Sequence, residues 1–366
     1  MVNAVVSVQK RSVRFDGDSA GDGGAGCGAL GPPPAVPSSP VSHPDYDKHG
    51  VYVIPRKWKG ENRSISLLRS SVDTIRMGQK CTWNPASWEL LIVLLSECKS
   101  AASLTGSATL NLGDFGEVEF YSSCANMPNF QWHFSQDNVN VYIANSQGPC
   151  DTGNVFFQFG SDWCQRGGDL SARVDRFVER VLFLGVAEIG QQLINQVDLA
   201  SDYLAPKGWR MPYSKMMDDG RHWPSKTKPA LLGNERYGRT LYYGKPSKNT
   251  HSVKVYDKGL EIYHMNRAAH MLDLWGLDMV SATSVFRVEV SIGKPYWRGR
   301  RSETLAHALQ RQRWMWRDAL HRQQFVTARG RATRIWEFLE SSGFLQFPHG
   351  ESYPLDARPD STELSS

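Results

Sequence analysis

The chain lacks most of the signatures that assign a protein quickly. Its 366 residues contain only six Cys, at positions 27, 81, 98, 124, 150 and 164. None forms a CxxC pair, which argues against a zinc finger or a thioredoxin-type motif. Six is also too few for a disulfide scaffold, so a reducing, cytoplasmic compartment is expected. The longest strictly apolar run is Leu90–Leu95, far short of the roughly 20 residues of a membrane helix, and no membrane partner is expected. The start of the chain has no basic stretch followed by an apolar block, so no signal peptide is expected either. There is no GxxxxGK[ST] loop, no HExxH or HxH pair and no GxSxG elbow, so P-loop ATPase, zinc protease and serine hydrolase chemistry find no support. The ten His are scattered and read as structural or solvated. Neither charge dominates: 42 basic and 37 acidic residues leave a net charge of +5.

What is present reads as a globular chain with 40% apolar residues and twelve Trp. Residues 17–44 hold seven Gly and six Pro, too little apolar surface to offset the entropy of ordering. Residues 1–48 therefore read as a disordered Gly/Pro-rich tail, and residues 351–366 as a second, flexible one. Between them the pattern mixes strands and helices. Val72–Met77 is a strand. Asn84-Pro85 opens a helix over Ala86–Ala101, because Asn caps free N–H groups and Pro suits a first turn. Thr109–Leu112 and Glu117–Tyr121 form a hairpin around Gly113–Gly116. Strands follow at Phe130–Phe134, Val139–Ala144 and Val155–Phe159. Leu170–Gln192 has helical spacing, and a strand runs over Leu193–Leu204. After a loop over Ala205–Gly238 come strands at Thr240–Tyr243, Ser252–Tyr256 and Val285–Ile292, then helical structure over Ser302–Leu345. This order predicts an α+β fold with a mostly antiparallel sheet, helices packed on one face and further helices at the C-terminus.

Four constellations could carry chemistry. Strand alternation puts Asp198 and Asp202 on one face with the small Ala200 between them. Two carboxylates so spaced suit a hard divalent cation, or simply a solvated strand face. Arg287 and Glu289 also share a face. Glu289 offers a further ligand or an acid–base group, although a cross-strand ion pair is the commoner reason for such a face. Tyr242 and Tyr243 lie near Lys245 and Lys258, and a tyrosine helped by a base or a cation can attack a phosphodiester. Packing is the commoner role of a strand tyrosine. Alternation groups Tyr242 with Thr240 and Tyr243 with Leu241. Finally, Lys294–Ile335 has eleven basic and two acidic residues with aromatics interleaved, which suits phosphates and unpaired bases as well as a solvated helix face.

In order, these motifs resemble the replication initiation factors of rolling-circle plasmids and filamentous phages, with relatives among mobile-element relaxases. Gln196–Asp202 stands where that family has an RxDxAxD strand. Tyr242–Ser247 matches its YxGSxxS stretch, Lys254–Lys258 its RIYDK strand and Arg287–Val290 its RxE strand. Phe159–Gln165 is similar to its SGxGCR segment. The resemblance spans about residues 70–345; Gln196, in place of Arg, and Lys245-Pro246 depart from it. It implies an HUH-endonuclease-like replication-initiation fold, with a catalytic domain at 49–293 and a basic DNA-binding extension at 294–350. It implies an enzyme that nicks one strand of an origin through a phosphotyrosyl intermediate, with Mg2+ or Mn2+ held by Asp198, Asp202 and Glu289. Tyr242 is the favoured nucleophile, ahead of Tyr296 and Tyr243, and Lys258 supplies positive potential. Arg298, Arg300, Arg301, Arg311, Arg313 and Arg317 would meet DNA. Double- and single-stranded origin DNA would be the partner, with a host helicase, a polymerase and a second copy of the chain as further candidates. The long tail and the departures point to a phage rather than a plasmid. A non-catalytic DNA-binding regulator and a conjugative relaxase remain the alternatives.

Overall fold

A computed structural model of the chain describes residues 6–7, 65–124, 127–206, 211, 213, 230–234, 238–244, 250–265, 270–300, 303–325 and 332–344. Both expected tails, apart from the two-residue strand β1 (Val6–Ser7), fall outside these residues. No described helix is long and apolar enough to cross a membrane, and the five described cysteines are free thiols.

The strands form one twelve-stranded sheet, in the order β1-β3-β4-β5-β6-β7-β2-β8-β12-β11-β10-β9, and every neighbouring pair is antiparallel. Its spine is the pairing of β2 (Ser66–Trp83) with β8 (Val186–Leu204). Both are much longer than the apolar pattern predicts. The reason is that β2 shifts register at several points between Leu67 and Trp83, and each bulge breaks the two-residue alternation by which a strand is recognised.

On one side of the spine lies a meander of β3 (Ser107–Asn111), β4 (Glu117–Tyr121), β5 (Trp132–Gln136), β6 (Val139–Ile143) and β7 (Val155–Phe159). Helix α1 (Pro85–Thr105) opens where expected. The side chain of Asn84 accepts from the Ser87 N–H, and Trp88, Leu91, Leu95, Cys98 and Ala102 form the buried stripe. A short α2 (Ser161–Cys164) and α3 (Leu170–Leu182) follow.

The expected continuation of α3 to Gln192 is corrected. The helix stops at Leu182, and Gly185 adopts φ 143°, a conformation that side chains other than glycine rarely take. A Cβ there would also sit 2.5 Å from Ser87 Cβ. Past that point Val186–Gln192 joins β2 instead, because the spine offers a complete hydrogen-bonded edge.

On the other side of the spine lie β12 (Val285–Ile292), β11 (His251–Tyr256), β10 (Gly238–Tyr243) and β9 (Ala230–Asn234). The expected loop over 205–238 thus contains a strand. Three helices that the sequence pattern does not announce separate β11 from β12: α4 (Lys258–Met265), α5 (His270–Trp275) and α6 (Met279–Ala282). The chain continues through α7 (Lys294–Arg298), α8 (Leu305–Gln310), α9 (Gln312–Arg322) and α10 (Arg334–Ser342).

The expectation of helices on one face is also corrected. Phe286 and its neighbours on β12 face the large core shared with Trp316, Trp336 and Leu339 of the C-terminal helices. Val285 points the opposite way, into a second cluster with Ile262, Met271, Trp275 and Ala282. Every residue of β12 is consequently buried.

On that second face the guanidinium of Arg287 ties three strands together. Its Nε and Nη2 donate to the two oxygens of Asp202 at 2.6 and 2.9 Å, and Nη1 donates to Asp73 Oδ1 at 2.7 Å. Trp275 Nε1 completes the shell of Asp202 at 2.9 Å, while Ser161 Oγ donates to Asp73 at 2.9 Å and links α2 to the tie. Burial works against the charge on Arg287, but the two carboxylates outweigh it and hold its pKa well above the usual arginine value. Removing one partner from such a buried pair leaves an uncompensated charge, which costs about 3–5 kcal/mol. R287M should therefore lose stability by about that amount in urea unfolding, while L90S, on an exposed helix position, should change it by less than about 0.5 kcal/mol.

Candidate active site

The same sheet face carries three parallel rows of side chains, set by the register. In the first, Asp202, Arg287, Tyr256 and Thr240 stand opposite one another across β8, β12, β11 and β10. In the second, two residues along each strand, stand Ala200, Glu289, Lys254 and Tyr242. In the third stand Asp198, Ser291 and Ser252. The first row is structural. The second and third face a cavity of about 690 Å³ whose lining includes Asp198, Glu289, Lys254, Tyr242, Gln196 and Arg76.

Glu289 Oε2 accepts from Lys254 Nζ at 2.9 Å and from the Tyr256 hydroxyl at 3.3 Å. Burial pulls the Lys254 pKa down, but the charge of Glu289 more than reverses this and lifts it above the ordinary lysine value. Lys254 Nζ also lies 4.3 Å from the Tyr256 ring centre, and burial drives the phenol of Tyr256 well above its usual pKa. Asp198 accepts from Gln196 Nε2 at 2.8 and 2.9 Å. Burial, then the charge of Glu289, pushes Asp198 up to about 7, against the pull of hydrogen bonds from Ser291 and Gln196. A pocket with an acid that titrates near neutrality beside a fixed cation is suited to moving a proton at a phosphoryl centre.

Each expected site residue has a definite place. Asp202 does share its face with Asp198, but it is bound on both oxygens by Arg287 and 1% exposed. The expected triad of Asp198, Asp202 and Glu289 does not converge for that reason. Among the described residues no group of three His, Cys, Asp or Glu side chains is placed to share an ion. Asp198 and Glu289 remain as a pair. Two carboxylates whose repulsion raises one pKa suit the way Mg2+ is held, by one or two carboxylates with waters and substrate phosphate oxygens.

Tyr242 lines the cavity directly opposite Lys254. Tyr243 points into the apolar core, fully buried against Trp336, and burial raises its pKa well above the usual value. Tyr296 is enclosed by His251, Trp297 and Arg300 away from the cavity, and its phenol is pushed up to about 12 by burial. Lys258 does not line the cavity and is paired with Glu261 at 3.1 Å. Lys245 and Arg301 lie outside the described residues.

Of the remaining basic residues, Arg300 and Arg311 both reach Glu303 and Arg317 reaches Glu340 at 4.0 Å. Arg298 is exposed and Arg313 half-buried, with no ion pair among the described residues. Sequence reasoning assigned no site role to Lys254, Gln196 or Arg76. The first two sat inside quoted motifs, but only cross-strand register reveals what they touch.

No protein-family model matches the chain, and no curated protein matches it. Among solved structures, a rolling circle replication initiator protein from Geobacillus stearothermophilus is similar at 15% identity with a TM-score of 0.40, over 75% of this chain and 96% of that one.

The raised acid gives a pH signature. Asp198 has a folded pKa of about 7 against roughly 3.9 in an unfolded chain. Its contribution to stability is complete below about pH 4 and is lost as pH rises through 7. The melting temperature of D198N relative to the parent should therefore climb between pH 4 and pH 8, which a thermal-melt series in metal-free buffer would record. A flat difference across that range would assign Asp198 an ordinary pKa.

Proposed function

We propose that the chain is a DNA strand-nicking and strand-joining enzyme of the rolling-circle initiator type, acting on a single strand through Tyr242. One observation carries the reading: Tyr242, Lys254, Glu289 and Asp198 meet on one face of one cavity, while the alternative tyrosines are buried elsewhere. The order of motifs in the sequence supports it independently.

In this reading the phenol oxygen of Tyr242 attacks the scissile phosphorus and its proton passes to a base in the pocket. A Tyr–O–P bond forms on the 5′ side, the P–O3′ bond breaks, and the 3′ oxygen leaves as a hydroxyl after taking up a proton. No oxidant, reductant or nucleotide triphosphate enters the balance, and the reverse step rejoins the strand. In the metal-free pocket Asp198 is the group whose pKa matches proton transfer near neutrality; as a metal ligand it would instead stay ionised. Lys254, held by Glu289, presents positive charge where phosphate negative charge builds up. Mg2+ or Mn2+ would be held by Asp198 and Glu289, and when bound it would polarise the phosphate oxygens. No histidine among the described residues lines the cavity, so the two carboxylates rather than an HUH-type histidine pair are its proposed ligands. Arg298, Arg313 and Arg317 are proposed to contact the DNA backbone.

The chain, incubated with Mn2+ and a random-sequence pool of single-stranded 40-mers, should give an SDS-resistant adduct whose DNA-linked peptide contains Tyr242. Y242F should abolish it, and K254M should lower its rate by about 10²–10³-fold. Binding of the pool without any adduct would instead favour a non-catalytic DNA-binding protein.

A further inference from the structure

The cavity has a second end that nicking chemistry does not use. Beyond Arg76 and Gln196 its wall is made by Pro128, Phe130 and Phe156, with the amides of Asn129 and Asn195 at its edge. Phe156 ends an aromatic row that crosses four strands in register, through Tyr142 and His133 to Tyr121. The Tyr121 and His133 rings stack at 4.5 Å and those of His133 and Tyr142 at 4.3 Å; Tyr142 then meets Phe156 edge-on at 6.2 Å. Polar edges lock the row: His133 Nε2 is 2.9 Å from Asn140 Oδ1, and the Tyr121 hydroxyl donates to Glu119 at 3.0 Å. Phe130 packs on Tyr142 and Phe156 at 6.1 and 5.7 Å. The two Phe rings are thus held rigidly by neighbours before any ligand arrives.

Two polar features beside these rings point to a ligand. Arg76 has no carboxylate partner among the described residues, and its Nε is buried without a hydrogen bond. Asn195 lines the cavity, and its Nδ2 donates to the Leu193 carbonyl at 3.3 Å. Aromatic walls, an amide edge and an unspent cation within one cavity match the three parts of a nucleotide: base face, base edge and phosphate. The volume of about 690 Å³ exceeds what a phosphate group alone needs and falls in the range of about 300–1,000 Å³ usual for small-ligand sites.

We propose that this end of the cavity is a base-binding subsite that takes one unpaired nucleobase against the wall formed by Phe130 and Phe156, next to the scissile phosphate, with Arg76 on the adjoining backbone phosphate. It rests on the reading of the chain as a single-strand nicking enzyme and adds what that site recognises. A base in a duplex is stacked and paired, so the subsite selects strand that is already melted.

The test compares binding of (dT)20 with a 20-mer of abasic sugar phosphates, by fluorescence anisotropy in EDTA so that no cleavage intervenes. The two probes carry the same phosphates. The parent chain should prefer (dT)20 by about 5- to 100-fold. F156L and F130L, which keep apolar bulk, should each cut that preference several-fold, and R76M should weaken both probes alike. Melting curves of the variants check folding, and either Leu variant alone suffices.

No preference in the parent, or a preference unchanged in both Leu variants, overturns the subsite even if the Tyr242 adduct forms. Base preference lost in F156L with no adduct from any pool would keep the subsite and overturn the nicking step.

Discussion

Arg287 is the constraint on which the rest of the site depends. A guanidinium buried at the middle of a sheet is tolerable only if its charge and donors are met. Asp202 and Asp73 meet them from two other strands. That fixes the lateral register of β2, β8 and β12, and with it every row of side chains above. Because side chains on one face repeat every two residues, a structural row at Arg287 places Glu289 and Lys254 in the next row and Asp198 with Ser291 in the one after. The tie also divides the acids: it takes Asp202 for structure and leaves Asp198 and Glu289 to the cavity.

Much of the frame could be read from the residues, and the gaps have identifiable causes. The meander strands, the Asn84 cap and β10 to β12 follow from alternation, caps and turn residues, all of which act within a few positions. β2 is legible only in part because its bulges scramble the alternation. The end of α3 is not legible because Gly185 and the open edge of β2 override a helical period that continues in sequence. Helices α4 to α6 are too short for a period to emerge. At the site, alternation separated Tyr242 from Tyr243 and put Asp198 with Asp202. It could not tell that Arg287 would lie opposite Asp202 and Lys254 opposite Glu289, since pairing partners are a property of two strands and a sequence pattern describes one.

The two faces of the sheet divide the labour. One is packed with aromatic and aliphatic side chains against the C-terminal helices, and there the Tyr203 hydroxyl ties to Leu339 and Ser342. The other spends burial on polar groups, which is costly unless each finds a partner. Asp198 is the place where partnering is incomplete: two donors from Gln196 and Ser291 do not offset desolvation and a neighbouring carboxylate. An incompletely satisfied acid is a liability for stability and suited to proton transfer, and the fold keeps it on the cavity wall.

The tie at Arg287 also has a consequence for biogenesis. Asp202 precedes Arg287 by 85 residues and Asp73 precedes it by 214. On a ribosome the β2–β8 spine emerges while both acids still lack their counter-charge. A chain made at about 5–20 residues per second waits several seconds before β12 delivers it. During that interval the nascent half-sheet carries two uncompensated carboxylates and the free edge of β8, the edge that β12 will cover. The last long strand is therefore the one that closes the edge and neutralises the interior in a single event, so that docking of β12 separates a vulnerable nascent sheet from a committed one.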